Sequence, residues 1–272
     1  MSVTDCLINV DFADRSHPDW MNSVKDEYFH GGDDFLASSE LSALLEEMDE
    51  HGVDRAIILT PLFEPSPRAL AYCEKYPERF ALGAIKLDLL RPMPTLRELD
   101  GFRRNHPVAY AQVGPAFWGD GQYPPSDAVY YPFYTKCAEW ELPLALATGL
   151  PGPPIAGEAQ NPIHLDRVCQ RFPELKLVMH HGADPWWDVA IRLMIKYPNL
   201  RLMTSAWAPK RLPDQLLHFM RTRGKEKVMF ASDSPVLSIS RCVSEARELD
   251  LPDDVRDAWL GGNADSYFGW GS

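Results

Sequence analysis

Two short runs in this 272-residue chain carry side chains able to move a proton: Met179-His180-His181-Gly182 and Ala231-Ser232-Asp233-Ser234-Pro235. An imidazole exchanges its proton nearest neutrality, and a carboxylate across from it can orient it, charge it or share a metal with it. Such a pair predicts a histidine pKa above the free value near 6.5. Each run closes an apolar stretch that reads as a strand, Leu175 to His181 and Lys227 to Ala231. Side chains alternate along a strand, so only one of His180 and His181 is expected to face inward, the other packing toward a helix layer. Gly182 beside them lets a ligand approach the backbone. A strand histidine is otherwise a plain core residue, and an aspartate past a strand a turn cap; what separates these two from that reading is the place their strands take in the whole chain.

That place follows from the order of elements. Val3 to Phe12 reads as a strand. Leu41, Leu44, Leu45 and Met48 lay one apolar face on a helix that Gly52 stops, and Val53 to Leu59 is a second, β-branched strand. The alternation continues with a helix over Pro67 to Tyr76, strand Phe80 to Leu87, helix Thr95 to Arg104, strand Val108 to Val113, helix Asp127 to Trp140 and strand Leu142 to Ala147. Helix Ile163 to Arg171, strand six, helix Trp186 to Lys196, strand Leu200 to Thr204, helix Pro213 to Arg223, strand eight and helix Ser240 to Leu249 complete eight pairs. Eight βα units in this length predict one (β/α)8 TIM-barrel domain over residues 1–272, and no Gly-rich nucleotide turn follows the first strand. Barrel enzymes work at the carboxyl ends of their strands, which is where His181 and Asp233 fall. The irregular stretches Arg15 to Ser38, Pro115 to Ser126 and Leu150 to Pro162 are then the expected walls and lids.

Composition narrows the partners. A formal net charge of -12 opposes binding to nucleic acid or an anionic membrane, both of which need clustered Lys and Arg. No apolar run approaches the length of a membrane helix. Five scattered cysteines without CxxC spacing, and the lack of a charged-then-apolar leader, fit a cytoplasmic protein. Neither GxSxG nor HExxH occurs, so serine-esterase and zincin chemistry have no support. The expected partner is a small molecule, with self-association into a homo-oligomer left open.

In order, Phe172 to Gly182, Tyr197-Pro198-Asn199-Leu200, Ser232-Asp233-Ser234-Pro235 and Asn263-Ala264 resemble the second half of the amidohydrolase-related proteins. That group contains metal-dependent hydrolases and the decarboxylases of aminocarboxymuconate semialdehyde and hydroxybenzoates. The likeness spans most of the chain and is dense after Tyr130. Counting from Pro173, it implies that the family's sixth-strand histidine is His181 rather than His180, and that its eighth-strand metal aspartate is Asp233. Where the family has His-x-His on its first strand, this chain has Asp11 and Ala13 in Asn9-Val10-Asp11-Phe12-Ala13. The fifth-strand metal histidine falls on Ala147, before Thr148-Gly149. Three imidazole ligands are thus replaced by one carboxylate and two alanines, a poor zinc set, leaving open only a zinc or hydrated hard-cation site of two carboxylates. The expected cofactor is none. Thr148-Gly149-Leu150-Pro151-Gly152-Pro153 and Tyr131-Pro132-x-Tyr134 resemble a subgroup that lacks the metal histidines.

The expected activity is hydrolysis or non-oxidative decarboxylation of a small, cyclic, carbonyl-containing or carboxylated molecule by His181, Asp233 and Asp11. A ligand-binding barrel without turnover is the alternative. Substrate contacts are expected from His180, Lys86, Thr148, Trp186 and Trp207: Lys86 offers positive charge for a carboxylate, and the tryptophans offer flat apolar surface, as Trp118 and Trp187 also do. Asp14, Arg15 and His17 follow the first strand and are within its reach of the mouth.

Overall fold

A computed structural model describes residues 2–14 and 20–270. Eight strands run in sequence order, each parallel to the next: β1 (Val3–Ile8), β2 (Val53–Pro61), β3 (Phe80–Ile85), β4 (Val108–Val113), β5 (Leu144–Ala147), β6 (Leu177–His180), β7 (Leu200–Met203) and β8 (Val228–Met229). The ring is drawn shut between β8 and β1. Cys6 N–H donates to the Phe230 carbonyl at 3.0 Å, Asp233 N–H to Leu7 at 3.0 Å and Asn9 N–H to Ser234 at 2.7 Å. This is the (β/α)8 barrel that the alternation predicted.

The period of two sorts the core. Ile57, Leu59, Tyr110, Ala145, Val178, Met203, Met229 and Ala231 fill the lumen. Their neighbours Ile58, Leu82, Leu144, Leu146, Leu177, Met179, Leu202 and Phe230 belong to the larger core under the helices. The strands are buried on both faces over most of their length, which is why they read as near-continuous apolar runs. The connecting helices start where the chemistry allows: Ser66 Oγ accepts from Ala69 N–H at 3.2 Å with Pro67 in the first turn, and Ser238 Oγ accepts from Arg241 N–H at 3.3 Å.

Two features depart from the sequence expectation. β6 and β8 end earlier than read, at His180 and Met229; β6 stops where His181 turns left-handed, φ 65°, and Asp233 beyond β8 is left-handed as well, φ 67°. The chain also ends in helices Asp253–Asp257 and Asn263–Phe268, which close the amino-terminal face. Tyr267, Phe268 and Trp270 pack against the lumen core, and Asp265 accepts from Thr4 Oγ1 at 2.7 Å while pairing with Arg55 at 3.1 Å. Among the described residues no helix is long and apolar enough to cross a membrane.

Candidate active site

At the carboxyl ends of β5 to β8 the chain encloses a cavity of about 200 Å³. His181, Asp233, Thr148, Gln160 and Asp184 supply its polar atoms. Its walls come from the three irregular stretches singled out in the sequence: Trp20, Tyr28, Phe29 and Phe35 from the first, Phe117 from the second, and Leu150, Pro151 and Pro153 from the third, with Trp207 after β7. An apolar cavity of roughly 150 Å³ accommodates benzene, so this one has room for a single substituted ring. A larger open depression beside the helix Leu41–Glu50 is lined by Glu40, Glu46, Asp49 and Glu50 on the outer helix layer, away from the strand ends.

His181 is held from three sides. Its backbone N–H donates to Ser205 Oγ at 3.0 Å, its Nδ1 lies 3.0 Å from the same oxygen, and its carbonyl accepts from Trp207 Nε1 at 2.9 Å. Gly182, at φ 71°, leaves no space for a side chain: a Cβ there would lie 2.5 Å from Trp207 Nε1 and 2.6 Å from Trp187 Cη2. Trp187 and Trp207 meet edge to face at 5.2 Å. Thr148 Oγ1 donates to the Gly182 carbonyl at 2.5 Å, tying β5 to the same turn.

Asp233 is fixed by Asn9, whose Nδ2 donates to Asp233 Oδ1 at 3.2 Å and to the Ser234 carbonyl at 3.4 Å. Behind it, the buried Asp5 clamps the turn: Oδ1 accepts from Ser232 N–H at 2.9 Å and Oδ2 from Ser232 Oγ at 2.5 Å. Ser232 Oγ in turn accepts from Ser234 N–H at 3.0 Å. Burial drives the Asp233 carboxyl well above its usual range, the Asn9 bond opposes this and the Asp5 charge adds to it. Asp5 itself is raised to about 7, mainly by burial.

The expected His181–Asp233 pair is not formed. Both line the cavity, but each is hydrogen-bonded to a third residue, and burial lowers His181 to about 4 instead of a carboxylate raising it. At neutral pH the imidazole is neutral. Nor does His181 take the inward place along β6 that was expected of it. Val178 points inward and Met179 outward, so alternation gives the inward place to His180; the left-handed turn at His181 then breaks the period and brings its ring beside His180, centroids 4.2 Å apart. His180 is buried beneath the cavity floor, is absent from its lining and has no hydrogen-bond partner of good geometry on either ring nitrogen.

Of the other residues predicted for the site, Thr148 and Trp207 line the cavity. Asp11 and Lys86 lie instead in a separate charged depression over β1 to β3 with Asp14, Glu64 and Arg68. Asp11, beyond the end of β1, forms an isolated antiparallel bridge with Ser38. Trp186 sits at the start of the helix Trp187–Lys196, outside the cavity lining. Asp14 is engaged by Arg68 at 3.3 Å, while Arg15 and His17 lie outside the described residues. Asn9, Ser205 and Asp5 were not predicted from sequence. Asn9 lies two residues before Asp11 in the first-strand motif; Ser205 and Asp5 give no local signal, since only the closed barrel brings them to their partners.

A family model described as amidohydrolase matches residues 30–270. The chain belongs to the amidohydrolase family. It is thereby an amidohydrolase-related enzyme of the hydrolase or carboxy-lyase type. No curated protein sequence matches it. Among solved structures, a TIM-barrel protein of Bordetella bronchiseptica described as uncharacterised superposes with a TM-score of 0.83 at 19% identity, covering 99% of both chains. A 2,6-dihydroxybenzoate decarboxylase from Rhizobium gives 0.70 at 18%, covering 100% of this chain and 99% of that one. The 5-carboxyvanillate decarboxylase of Novosphingobium aromaticivorans, complexed with manganese, gives 0.67 at 16%, covering 98% and 95%. At such identities the likeness establishes the fold.

The manganese in that neighbour raises the question of whether this amidohydrolase could hold a divalent metal in the same place. Among the described residues the donors do not fit one. Ala147 offers none, Asp11 faces the other depression, Asn9 aims an N–H rather than a lone pair at Asp233, and His181 Nδ1 is engaged by Ser205. Among the described residues no group of three or more His, Cys, Asp or Glu side chains is arranged to hold a metal ion.

Proposed function

We propose that the chain is a metal-independent non-oxidative decarboxylase acting on a small, ring-bearing acid that also carries a carbonyl group. The observation that carries this reading is the placement of a carboxyl held well above its usual range, Asp233, and a neutral imidazole, His181, in one ring-sized, aromatic-walled cavity at the strand ends. Loss of CO2 leaves an electron pair that must be protonated at carbon, and a carboxyl that burial makes hold its proton more tightly than usual is suited to deliver it. The cavity's low polarity also disfavours the substrate's localised carboxylate charge relative to the delocalised charge that follows. Likeness in fold to decarboxylases of hydroxylated benzoates supports the same reaction class.

Hydrolysis of a cyclic ester is the second reading, favoured by the neutrality of His181, which lets the ring interact with water or a carbonyl without first losing a proton. Purified protein offered cyclic β-oxo acids, hydroxybenzoates and lactones separates the readings. CO2 release abolished in Asp233→Asn supports decarboxylation, and acid release from lactones supports hydrolysis. Saturable ligand binding with no turnover of any compound would make the chain a binding barrel and overturn both.

A further inference from the structure

The hydroxyl of Ser205 meets His181 at two points. Its Oγ lies 3.0 Å from both the backbone nitrogen and Nδ1 of His181. The backbone N–H can only donate, so Oγ accepts there. A serine hydroxyl has one proton of its own to give. Ser205 is fully buried, and among the described residues these two contacts are the only hydrogen bonds of its oxygen. Its O–H is therefore satisfied only by donating to Nδ1; were Nδ1 protonated, the hydroxyl proton would be stranded away from water. With Nδ1 an acceptor and the ring neutral, the ring proton sits on Nε2. Because the ring lines the cavity and Nδ1 is taken, Nε2–H is the group a ligand meets.

We infer that His181 works as a neutral hydrogen-bond donor to a substrate carbonyl oxygen, not as a proton-removing base, and that Ser205 is the positioning residue that sets this tautomer. The inference rests on the cavity being the active site and narrows its substrate to acids whose carboxylate is β to a carbonyl, or vinylogous to one. As the C–CO2 bond breaks, its electron pair moves into the enolate, whose oxygen charge is met by Nε2–H. CO2 leaves, and the enolate carbon forms its new C–H bond with the proton of Asp233. Asn9 donates to Oδ1, which leaves Oδ2 as the oxygen that carries this proton. The Asp233 carboxylate then takes a proton from water, and the cycle balances with no oxidant or metal. The backbone of His181, held by Trp207 Nε1, and the His180 ring packed against it keep the imidazole plane fixed during this step.

The test is nitrogen NMR of protein labelled at histidine, in which a directly bonded proton on each ring nitrogen is read from its coupling. Between pH 5 and 8 the His181 ring is expected to be bonded to hydrogen at Nε2 alone. Ser205→Ala should yield a mixture of the two tautomers, and Ser205→Thr, which keeps the hydroxyl, should restore the single form. A proton on Nδ1 in the wild type, or a Ser205→Ala spectrum identical to wild type, overturns the inference. Carbonyl-labelled acetophenone supplies the second arm: its carbonyl resonance should move in the presence of wild-type protein and not with His181→Leu, and an unmoved resonance counts against the donor role. Neither arm depends on turnover. A single Nε2–H tautomer without CO2 release from any acid defeats the functional reading alone, while turnover with the proton on Nδ1 defeats this inference alone.

Discussion

Replacing Asp5 by asparagine removes a titrating group from the seam that closes the barrel, and its effect should depend on pH in a calculable way. The folded carboxyl is raised to about 7 against 3.8 for the free group. The native state therefore binds this proton more tightly than the unfolded chain, and linkage makes stability fall as pH rises from near 4 through 7. Between pH 5 and 8 the loss covers two pH units, or about 2.7 kcal/mol at 1.36 kcal/mol per unit. Asparagine keeps an acceptor for the N–H groups of Ser232 and Leu7, both of which donate to Asp5 Oδ1, but cannot ionise, so its stability lacks this component. At pH 5 the substitution should cost about 1 kcal/mol for the impaired bond to Ser232 Oγ. At pH 8 the cost should vanish or change sign. Urea denaturation of both proteins at the two pH values measures this double difference, in which other titrating groups, the oppositely shifted His181 among them, cancel. A gap between the proteins that stays constant to within about 0.5 kcal/mol would refute the assignment of a proton to Asp5.

Four further outcomes are expected. The rate should need neutral His181 and protonated Asp233, giving an acid limb near pH 4 and an alkaline limb set by the raised carboxyl, and Asp5→Asn should move the alkaline limb down because the Asp5 charge helps to raise Asp233. Removing the donor in His181→Leu should lower kcat by about 10²-fold or more with the fold intact by circular dichroism. Gly182→Ala, forced into both a left-handed backbone and the Trp187–Trp207 contact, should lose about 2–4 kcal/mol in denaturant melts. EDTA dialysis should leave Tm unchanged, and a fall in Tm reversed by manganese or zinc would show that donors such as those of residues 15–19 complete a metal site.

The barrel was legible because its signal is repeated: eight apolar runs alternate with eight amphipathic ones, and an error of two residues at any end leaves the order intact. The cavity walls were legible for a related reason, since three long irregular stretches at one end of a barrel have little else to do. What the sequence misjudged was local. The period of two assigns opposite faces to His180 and His181 only while the strand lasts, and β6 stops between them. Gly182 was read only as letting a ligand approach the backbone, and nothing local marks the left-handed φ of the histidine before it, whose backbone meets Ser205 and Trp207. The raised histidine pKa failed for the same reason, because residue types predict a His–Asp pair while only the folded chain shows Asn9 and Ser205 taking the two partners. Lys86 and Asp11 lay at plausible strand ends, yet they line a different depression from the one that holds His181 and Asp233.

The β1–β8 seam links stability to chemistry. β8 is two residues long, so the backbone pairs that usually complete a barrel are few there, and the side chain of Asp5 supplies contacts that main chain supplies elsewhere. Those contacts hold Ser232 and, through it, Ser234, the two neighbours of Asp233. A free carboxylate at position 5 would both load the seam with buried charge and push the Asp233 proton to be held more tightly. A protonated Asp5 relaxes both. The acid strength of Asp233 and the stability of the closed ring are thus expected to change together in any variant of Asp5, Ser232 or Asn9, and a variant that moved one without the other would show that the seam and the site are independent.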